Sequence, residues 1–292
     1  MPTYSIVEAP SHLGLRAAGV EELPGALLAA GLAERLDARR AARLPPPPFE
    51  PRVDPQTQML NPTGLRDYSL ILAEAVGSVL DRREFPIVLG GDCSILLGST
   101  LALRRRGRYG LLFLDGHADF YQPEAEPTGE AASMDLALVT GRGPEIVSDL
   151  EGRRPLVLDE DAVVFGFRDA QHAAEGSQPL ASTIAAIDLA TVRELGVEQA
   201  ACDAVAHLER EEGPAGFWIH FDVDVLDDGI MPAVDYRLPD GLGWAELSAV
   251  LRRAVTSDRS AGLEITIFNP TLDTDNKIAR ALVDVLVASL ST

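Results

Sequence analysis

Two short apolar runs in this chain each end abruptly in a cluster of polar residues. They are LLFLDGHADFY at Leu111 to Tyr121 and FWIHFDVDVLDD at Phe217 to Asp228. Apolar runs of this length predict buried strands, and an unpaired charge beside a buried strand is costly. The polar residues at the two strand ends are Asp115, His117, Asp119, Asp222 and Asp224. They predict a functional site at the carboxyl ends of the strands, where open α/β sheets bind ligands.

The segments around these runs alternate between strand-like and helix-like patterns. Phe85 to Leu89 is a short apolar strand, Ser94 to Arg106 has helical periodicity, and Arg108 to Leu114 is the next strand. This alternation predicts parallel strands with helices on both faces of the sheet. Glu21 to Leu44 is rich in Ala, Leu and Arg and is also predicted to be helical, with interruptions.

Length and composition restrict the class of protein. The 292 residues allow one large α/β domain or two small ones, and, with no internal repeat present, a single domain over residues 1–292 is the simpler prediction. A net charge of -20 disfavours a nucleic-acid partner or a polybasic membrane contact. No apolar run reaches the ~18 residues of a membrane span, and the N-terminus lacks the layout of a signal peptide. We therefore expect a cytoplasmic protein with no membrane partner.

A third polar cluster, GGDCS at Gly90 to Ser94, follows another predicted strand and adds Asp92 and Cys93 to the inventory. Acids, an imidazole and a thiol that meet in one cleft repel one another unless cations neutralise them. The inventory fits two metal ions that share carboxylates. Oxygen ligands favour Mn²⁺, whereas the softer imidazole and thiolate leave Zn, Fe or Co as alternatives.

The motifs GGDCS, DGHAD, HFDVDVLDD and IFNP occur in the order of the landmarks G-G-D-H-S, D-A-H-x-D, S-x-D-x-D-x-x-D-P and E-x-N-P. The chain thus resembles the ureohydrolases, which include arginase, agmatinase and formimidoylglutamase. The resemblance covers nearly the whole chain. It implies a three-layer α/β/α fold with a central, mostly parallel sheet of about eight strands. It also implies a small-molecule substrate and a homo-oligomer, either a trimer or a hexamer.

The same resemblance implies a binuclear Mn²⁺ centre. The implied ligands of one metal are Cys93, Asp115, Asp119 and Asp222, and those of the other are His117, Asp115, Asp222 and Asp224. In the implied reaction a water activated between the metals attacks the trigonal carbon of a guanidine or amidine. His117 and Asp119 are the candidate catalytic residues. Asp119 would pass a proton to the leaving nitrogen.

Several residues depart from the family pattern. Cys93 stands where the family has a histidine ligand, and it is either a thiolate ligand or an inert buried thiol. Ile267 stands where E-x-N-P supplies a glutamate to the substrate guanidinium, a role that isoleucine cannot fill. Glu264 is a poor replacement, since an odd offset along a strand points it to the opposite face. Ala132 replaces a histidine that arginases use as a proposed proton shuttle.

The candidate substrate-binding residues are Tyr121, Gln171, Tyr236 and Ile267. His220 lies two positions before Asp222 and points to the same side of its strand, which makes it a candidate partner of a metal ligand. We interpret the chain as a hydrolase of a linear C–N bond whose substrate is a modified guanidine rather than plain arginine. The alternative is a catalytically silent relative with a binding or regulatory role.

Overall fold

The strands of the computed structural model, which describes residues 2–16, 18–169 and 183–291, form one sheet. They are β1 (Tyr4–Glu8), β2 (Arg39–Arg43), β3 (Phe85–Leu89), β4 (Gly110–Leu114), β5 (Ala162–Phe165), β6 (Ala185–Ile187), β7 (Phe217–Asp222) and β8 (Ser260–Thr266). Their order across the eight-stranded sheet is β2-β1-β3-β8-β7-β4-β5-β6. Every neighbouring pair is parallel. The predicted α/β fold is confirmed, and the sheet is parallel throughout.

The helices lie on both faces of the sheet. Within the described residues the α-helices are α1 (Leu23–Ala29), α2 (Leu32–Arg35), α3 (Pro62–Asp81), α4 (Leu96–Arg104), α5 (Asp135–Val139), α6 (Glu145–Ser148), α7 (Leu189–Leu195), α8 (Val197–Leu208), α9 (Trp244–Val255) and α10 (Lys277–Leu290). Helices α1, α8, α9 and α10 pack in one hydrophobic core, and α3, α4 and α5 pack in the other. Of these described helices, none is both long and apolar enough to cross a bilayer.

Alternate residues of each central strand enter the two cores. In β4, Leu112 and Leu114 pack with the first core, whereas Leu111 and Phe113 pack with the second. A strand that is buried on both faces needs apolar residues at consecutive positions. This requirement explains the unbroken apolar runs of the sequence.

The helix predicted over Glu21 to Leu44 is wrong in its last part. The helical segments end at Arg35, and Arg39–Arg43 forms edge strand β2, which pairs with β1. Arg40 and Arg43 lie 2.5 and 3.2 Å from the two carboxylate oxygens of buried Glu8. Arginine and alanine favour helices locally, but pairing with the sheet and neutralisation of Glu8 outweigh that weak preference.

Gly262 of β8 permits close packing against Trp218 of β7. A Cβ atom at this position would lie 2.1 Å from Cζ3 of Trp218, which is fully buried. We expect Gly262→Ala to lower the free energy of unfolding by about 1–3 kcal/mol, the usual cost of overpacking a core. Urea unfolding followed by circular dichroism measures this loss.

Gly25→Ala is the matched control for this prediction. Apart from its chain neighbours and the backbone of its own helix α1, no described atom lies within 4 Å of a Cβ placed on Gly25. Alanine there is expected to leave stability unchanged or slightly raised. Equal unfolding free energies for the two variants would contradict the packing argument.

Candidate metal centre

The predicted metal ligands lie at or just beyond the carboxyl ends of strands β3, β4 and β7. Cys93 follows β3, Asp115 and His117 follow β4, and Asp222 ends β7. These strands run parallel in the order β3-β8-β7-β4, so their carboxyl ends meet. Asp119 and Asp224 lie in the short segments just beyond them. All six side chains are buried except that of His117, which is about one-quarter exposed.

Cys93 lies against a carboxylate. Its thiol donates a hydrogen bond to Oδ2 of Asp222 over 2.9 Å, and its Sγ is 3.3 Å from Oγ1 of Thr266. Burial, followed by the charge of Asp222, raises the pKa of the Cys93 thiol well above its usual value. Burial and the neighbouring carboxylate of Asp224 likewise raise the pKa of Asp222. Without a cation, this part of the site therefore favours the uncharged forms of both groups.

Asp115, His117 and Asp224 form a second group. Nδ1 of His117 is 2.9 Å from Oδ2 of Asp224 and 3.7 Å from Oδ1 of Asp115. Burial and the charge of Asp224 raise the pKa of Asp115 to about 6. Burial opposes ionisation of Asp224 as well, but His117 holds its pKa below the usual value. Oδ2 of Asp115 is buried without a hydrogen-bond partner among the described residues.

Asp119 is held in a constrained position close to a carboxylate that was not predicted. Its backbone is left-handed, with φ of 42°, and its buried carboxyl has a raised pKa because of burial and the charge of Asp115. Asp135, the first residue of α5, is fully buried nearby, and burial raises its pKa too. The available signal for Asp135 was a single acid inside the apolar stretch Met134 to Val139.

Among the described residues, side chains at this end of the sheet form three groups, and within each group the ligand atoms lie within 4.8 Å of one another. The groups are Cys93, Asp115, His220 and Asp222; Cys93, Asp119 and Asp135; and Asp115, His117 and Asp224. Carboxylates, imidazoles and a thiol are suitable ligands for divalent metal ions. Buried acids with raised pKa values and unpaired oxygens are stabilised by a cation. The residues present therefore fit a metal centre.

A cavity of about 170 Å³ opens over this cluster. The predicted substrate-binding residues Tyr121, Tyr236 and Ile267 line it, together with Asp119 and Ala132. Gln171, the remaining predicted substrate contact, lies outside the described residues. Glu264 is not among the described lining residues; its buried carboxylate lies 2.7 Å from Nδ1 of His220.

Sequence reasoning missed two acids of the cavity wall, Glu126 and Glu130. The phenol of Tyr236 donates a hydrogen bond to Oε2 of Glu130 over 2.7 Å. The backbone N–H of Arg16 donates to Oε1 of the same carboxylate over 2.6 Å. Both glutamates belong to the acidic loop after the DGHAD motif, where a high local density of acids was the available signal. They add negative charge to the wall of the cavity.

Ile267 has a strained backbone in the wall of the cavity. Its φ is 68°, in the left-handed region that β-branched residues rarely adopt. Its N–H donates to the carbonyl of Gly91 over 2.8 Å, which ties the end of β8 to the GGDCS loop. Such strain is typical of functional sites, where surrounding structure enforces the conformation.

The sequence model described as Arginase family matches residues 4–291 of this chain. The chain belongs to the Arginase family. This Arginase-family protein is 27% identical over 291 residues to an arginase of Staphylococcus aureus strain COL, with 96% of this chain and 94% of the relative covered. It is 29% identical over 293 residues to the arginase of Bacillus caldovelox, with 97% and 96% covered. The predicted resemblance to ureohydrolases is confirmed.

Solved structures of relatives share the fold of this Arginase-family protein. The Bacillus caldovelox arginase structure has a TM-score of 0.88 and 27% identity, and the match covers 100% of this chain and 99% of the other. Proclavaminate amidino hydrolase from Streptomyces clavuligerus has a TM-score of 0.73 and 17% identity, with 99% and 90% covered. The second likeness, at low identity, is one of fold alone.

Proposed function

We propose that this protein is a metal-dependent hydrolase that cleaves a linear C–N bond in a guanidino or amidino compound. The observation that carries the proposal is the cluster of buried carboxylates that lines a small cavity at the carboxyl edge of the sheet. Membership of the Arginase family supports the same reaction class. Mn²⁺ is the proposed metal because oxygen ligands predominate, with Zn, Fe or Co as alternatives because of Cys93 and the imidazoles.

The residues of the cluster have different proposed roles: metal binding, proton transfer and attraction of the substrate. Two bound divalent ions would lower the pKa of a water molecule and thus provide a nucleophile at neutral pH. Asp119 would orient that water, accept its proton and deliver the proton to the leaving nitrogen. Its raised pKa supports proton storage on this carboxyl. The acids at the cavity wall, Glu126 and Glu130, would attract a basic substrate.

The proposed substrate is a guanidine other than plain arginine, such as an N-hydroxylated one. Ile267 occupies the position from which the family motif supplies a glutamate, and an isoleucine neither accepts hydrogen bonds nor balances a guanidinium charge. A less basic guanidine needs that contact less. The pairing of Tyr236 with Glu130 offers a different set of polar contacts at the cavity.

Turnover by the metal-loaded protein tests the proposal. The protein is loaded separately with Mn²⁺, Zn²⁺, Fe²⁺ or Co²⁺ and incubated with arginine, agmatine, Nω-hydroxyarginine and formimidoylglutamate, and the released products are quantified by mass spectrometry. We expect hydrolysis of a modified guanidine to exceed that of arginine. A metal-loaded protein that hydrolyses none of these compounds would refute the proposed function.

Ile267→Glu tests the proposed reason for the altered substrate. A carboxylate that contacts a guanidinium contributes about 1.5–3 kcal/mol, so kcat/KM for arginine should rise by roughly 10–150-fold. Ile267→Gln is the matched control, because glutamine has a similar size and carries no charge. Equal hydrolysis of arginine by both variants would contradict this prediction, since the charge would then have no effect. Steady-state kinetics at saturating metal gives the comparison.

A further inference from the structure

His220 of β7 is held rigidly at the centre of the sheet. It is fully buried, and its ring stacks on Phe113 of β4 with centroids 4.6 Å apart and planes 12° apart. Its Nδ1 is 2.7 Å from Oε1 of Glu264 on β8. Glu264 also accepts a hydrogen bond from the hydroxyl of Ser99 over 2.5 Å. These contacts fix both the plane and the direction of the imidazole.

The hydrogen bond to Glu264 decides which nitrogen of His220 carries a proton. A carboxylate is an acceptor, so Nδ1 is the donor and Nε2 of the neutral ring keeps a free lone pair. Nε2 is buried and has no hydrogen-bond partner in the described part of the chain. A buried histidine with only a packing role normally satisfies both nitrogens. The lone pair on Nε2 of His220 is therefore available to bind a ligand.

The free nitrogen of His220 lies beside another unpaired atom. Oδ2 of Asp135 is 3.9 Å away and is likewise buried without a partner among the residues described. This separation is too long for a hydrogen bond. It is, however, twice the roughly 2 Å of a metal–nitrogen or metal–oxygen bond. A single cation between the two atoms would satisfy both.

We propose that His220 is a metal ligand through Nε2 and supplies the imidazole that the GGDCS motif lacks at Cys93. His220 shares a ligand group with Cys93, Asp115 and Asp222, all within 4.8 Å. Glu264 orients the imidazole, as carboxylates do for metal-binding histidines in other proteins. The inference rests on the proposed metal centre but is independent of the substrate. Asp135 lies 3.9 Å from Nε2 of His220 and would be a further oxygen ligand of that ion.

Imidazole counting by X-ray absorption tests this assignment directly. The full-length protein is loaded with Zn²⁺ alone, and the average number of imidazole ligands per zinc ion is determined from the X-ray absorption spectrum. With His117 and His220 as ligands of two metals, the wild-type protein has an average of one imidazole per metal. His220→Gln is expected to halve this value. A wild-type average of one-half, unchanged in His220→Gln, would overturn the proposal.

Metal affinity provides a second measurement. Chelator competition measures the dissociation constant for Zn²⁺ at the weaker of the two sites. This constant should rise at least tenfold in His220→Gln and about tenfold in Glu264→Gln. His207→Gln is the matched control, because His207 lies on α8 and its Nε2 contacts the carbonyl of Glu160. Equal affinities in all three variants would refute the role of His220. If His220→Gln does not fold, the wild-type imidazole count alone decides.

These measurements separate the inference from the proposed function. They contain no substrate, so an active enzyme with a single imidazole in its metal pair would contradict only the role of His220. A protein with two imidazoles in the pair and no turnover of any guanidino compound would contradict only the proposed function.

Discussion

Asp119→Asn is expected to reduce turnover of the proposed guanidino substrate, normalised to bound metal, by at least ~10²-fold, the usual contribution of a positioned acid–base group. Asparagine preserves the size of the side chain but cannot accept and return a proton. The effect should be on kcat, because Asp119 is the proposed proton carrier; it is buried, and burial and the charge of Asp115 raise its pKa. Steady-state kinetics normalised to metal content by mass spectrometry measures it.

Two comparisons make the Asp119 prediction specific. Asp284→Asn changes the same residue type at an exposed site, where it pairs with Arg35, and should keep full activity. Asp119 is also an implied metal ligand, so the variant is compared at full metal occupancy. An unchanged kcat under that condition would show that Asp119 is not the proton carrier.

The metal-free protein is expected to become less stable as the pH rises from about 4 to about 6, the interval between the unfolded and folded pKa values of Asp115. The pKa of Asp115 is raised to about 6, mainly by burial, whereas an unfolded aspartate titrates near 3.9. The folded state therefore binds more protons over this interval, and rising pH favours unfolding. Two pKa units correspond to about 3 kcal/mol from Asp115 alone.

Other groups of the centre reinforce this direction. The pKa values of Asp119 and Asp222 are also raised by burial, and that of His117 is raised by Asp224 despite burial. Each of these groups contributes stability at low pH that is lost as the pH rises through its folded-state pKa. Asp224, with a lowered pKa, contributes in the opposite sense, but its contribution is already present above the unfolded pKa.

Urea unfolding with and without a chelator, at several pH values, tests the stability prediction. Bound metal requires ionised ligands, so the metal-loaded protein should instead gain stability as the pH rises. Asp115→Asn should reduce the pH dependence of the chelated protein. A chelated wild-type protein that is equally stable at both ends of the range would contradict the expected charge repulsion.

Much of the site was predictable because motif residues follow directly after buried strands. GGDCS, DGHAD and the aspartates after Phe221 each end an apolar run, and parallel strands bring their carboxyl ends to one edge. The fold class was predictable because the alternation of strands and helices along the chain is compatible with few sheet topologies. The strand Arg39–Arg43 was not predictable from local sequence. It forms because it pairs with β1 and neutralises Glu8, and both partners lie far away along the chain.

The alternation of strands and helices along the chain and the chemical types of the strand-end residues thus follow from local patterns, which report burial and periodicity. The partners of those residues depend on packing between distant elements. The sequence indicates that His220 and Asp222 share a side of β7, but only the fold places Glu264 at Nδ1 of His220 and Asp135 near Nε2. Those contacts join β7, β8 and α5. Hydrogen-bond direction and ligand geometry depend on distances of a few ångströms, which residue spacing along the chain does not specify.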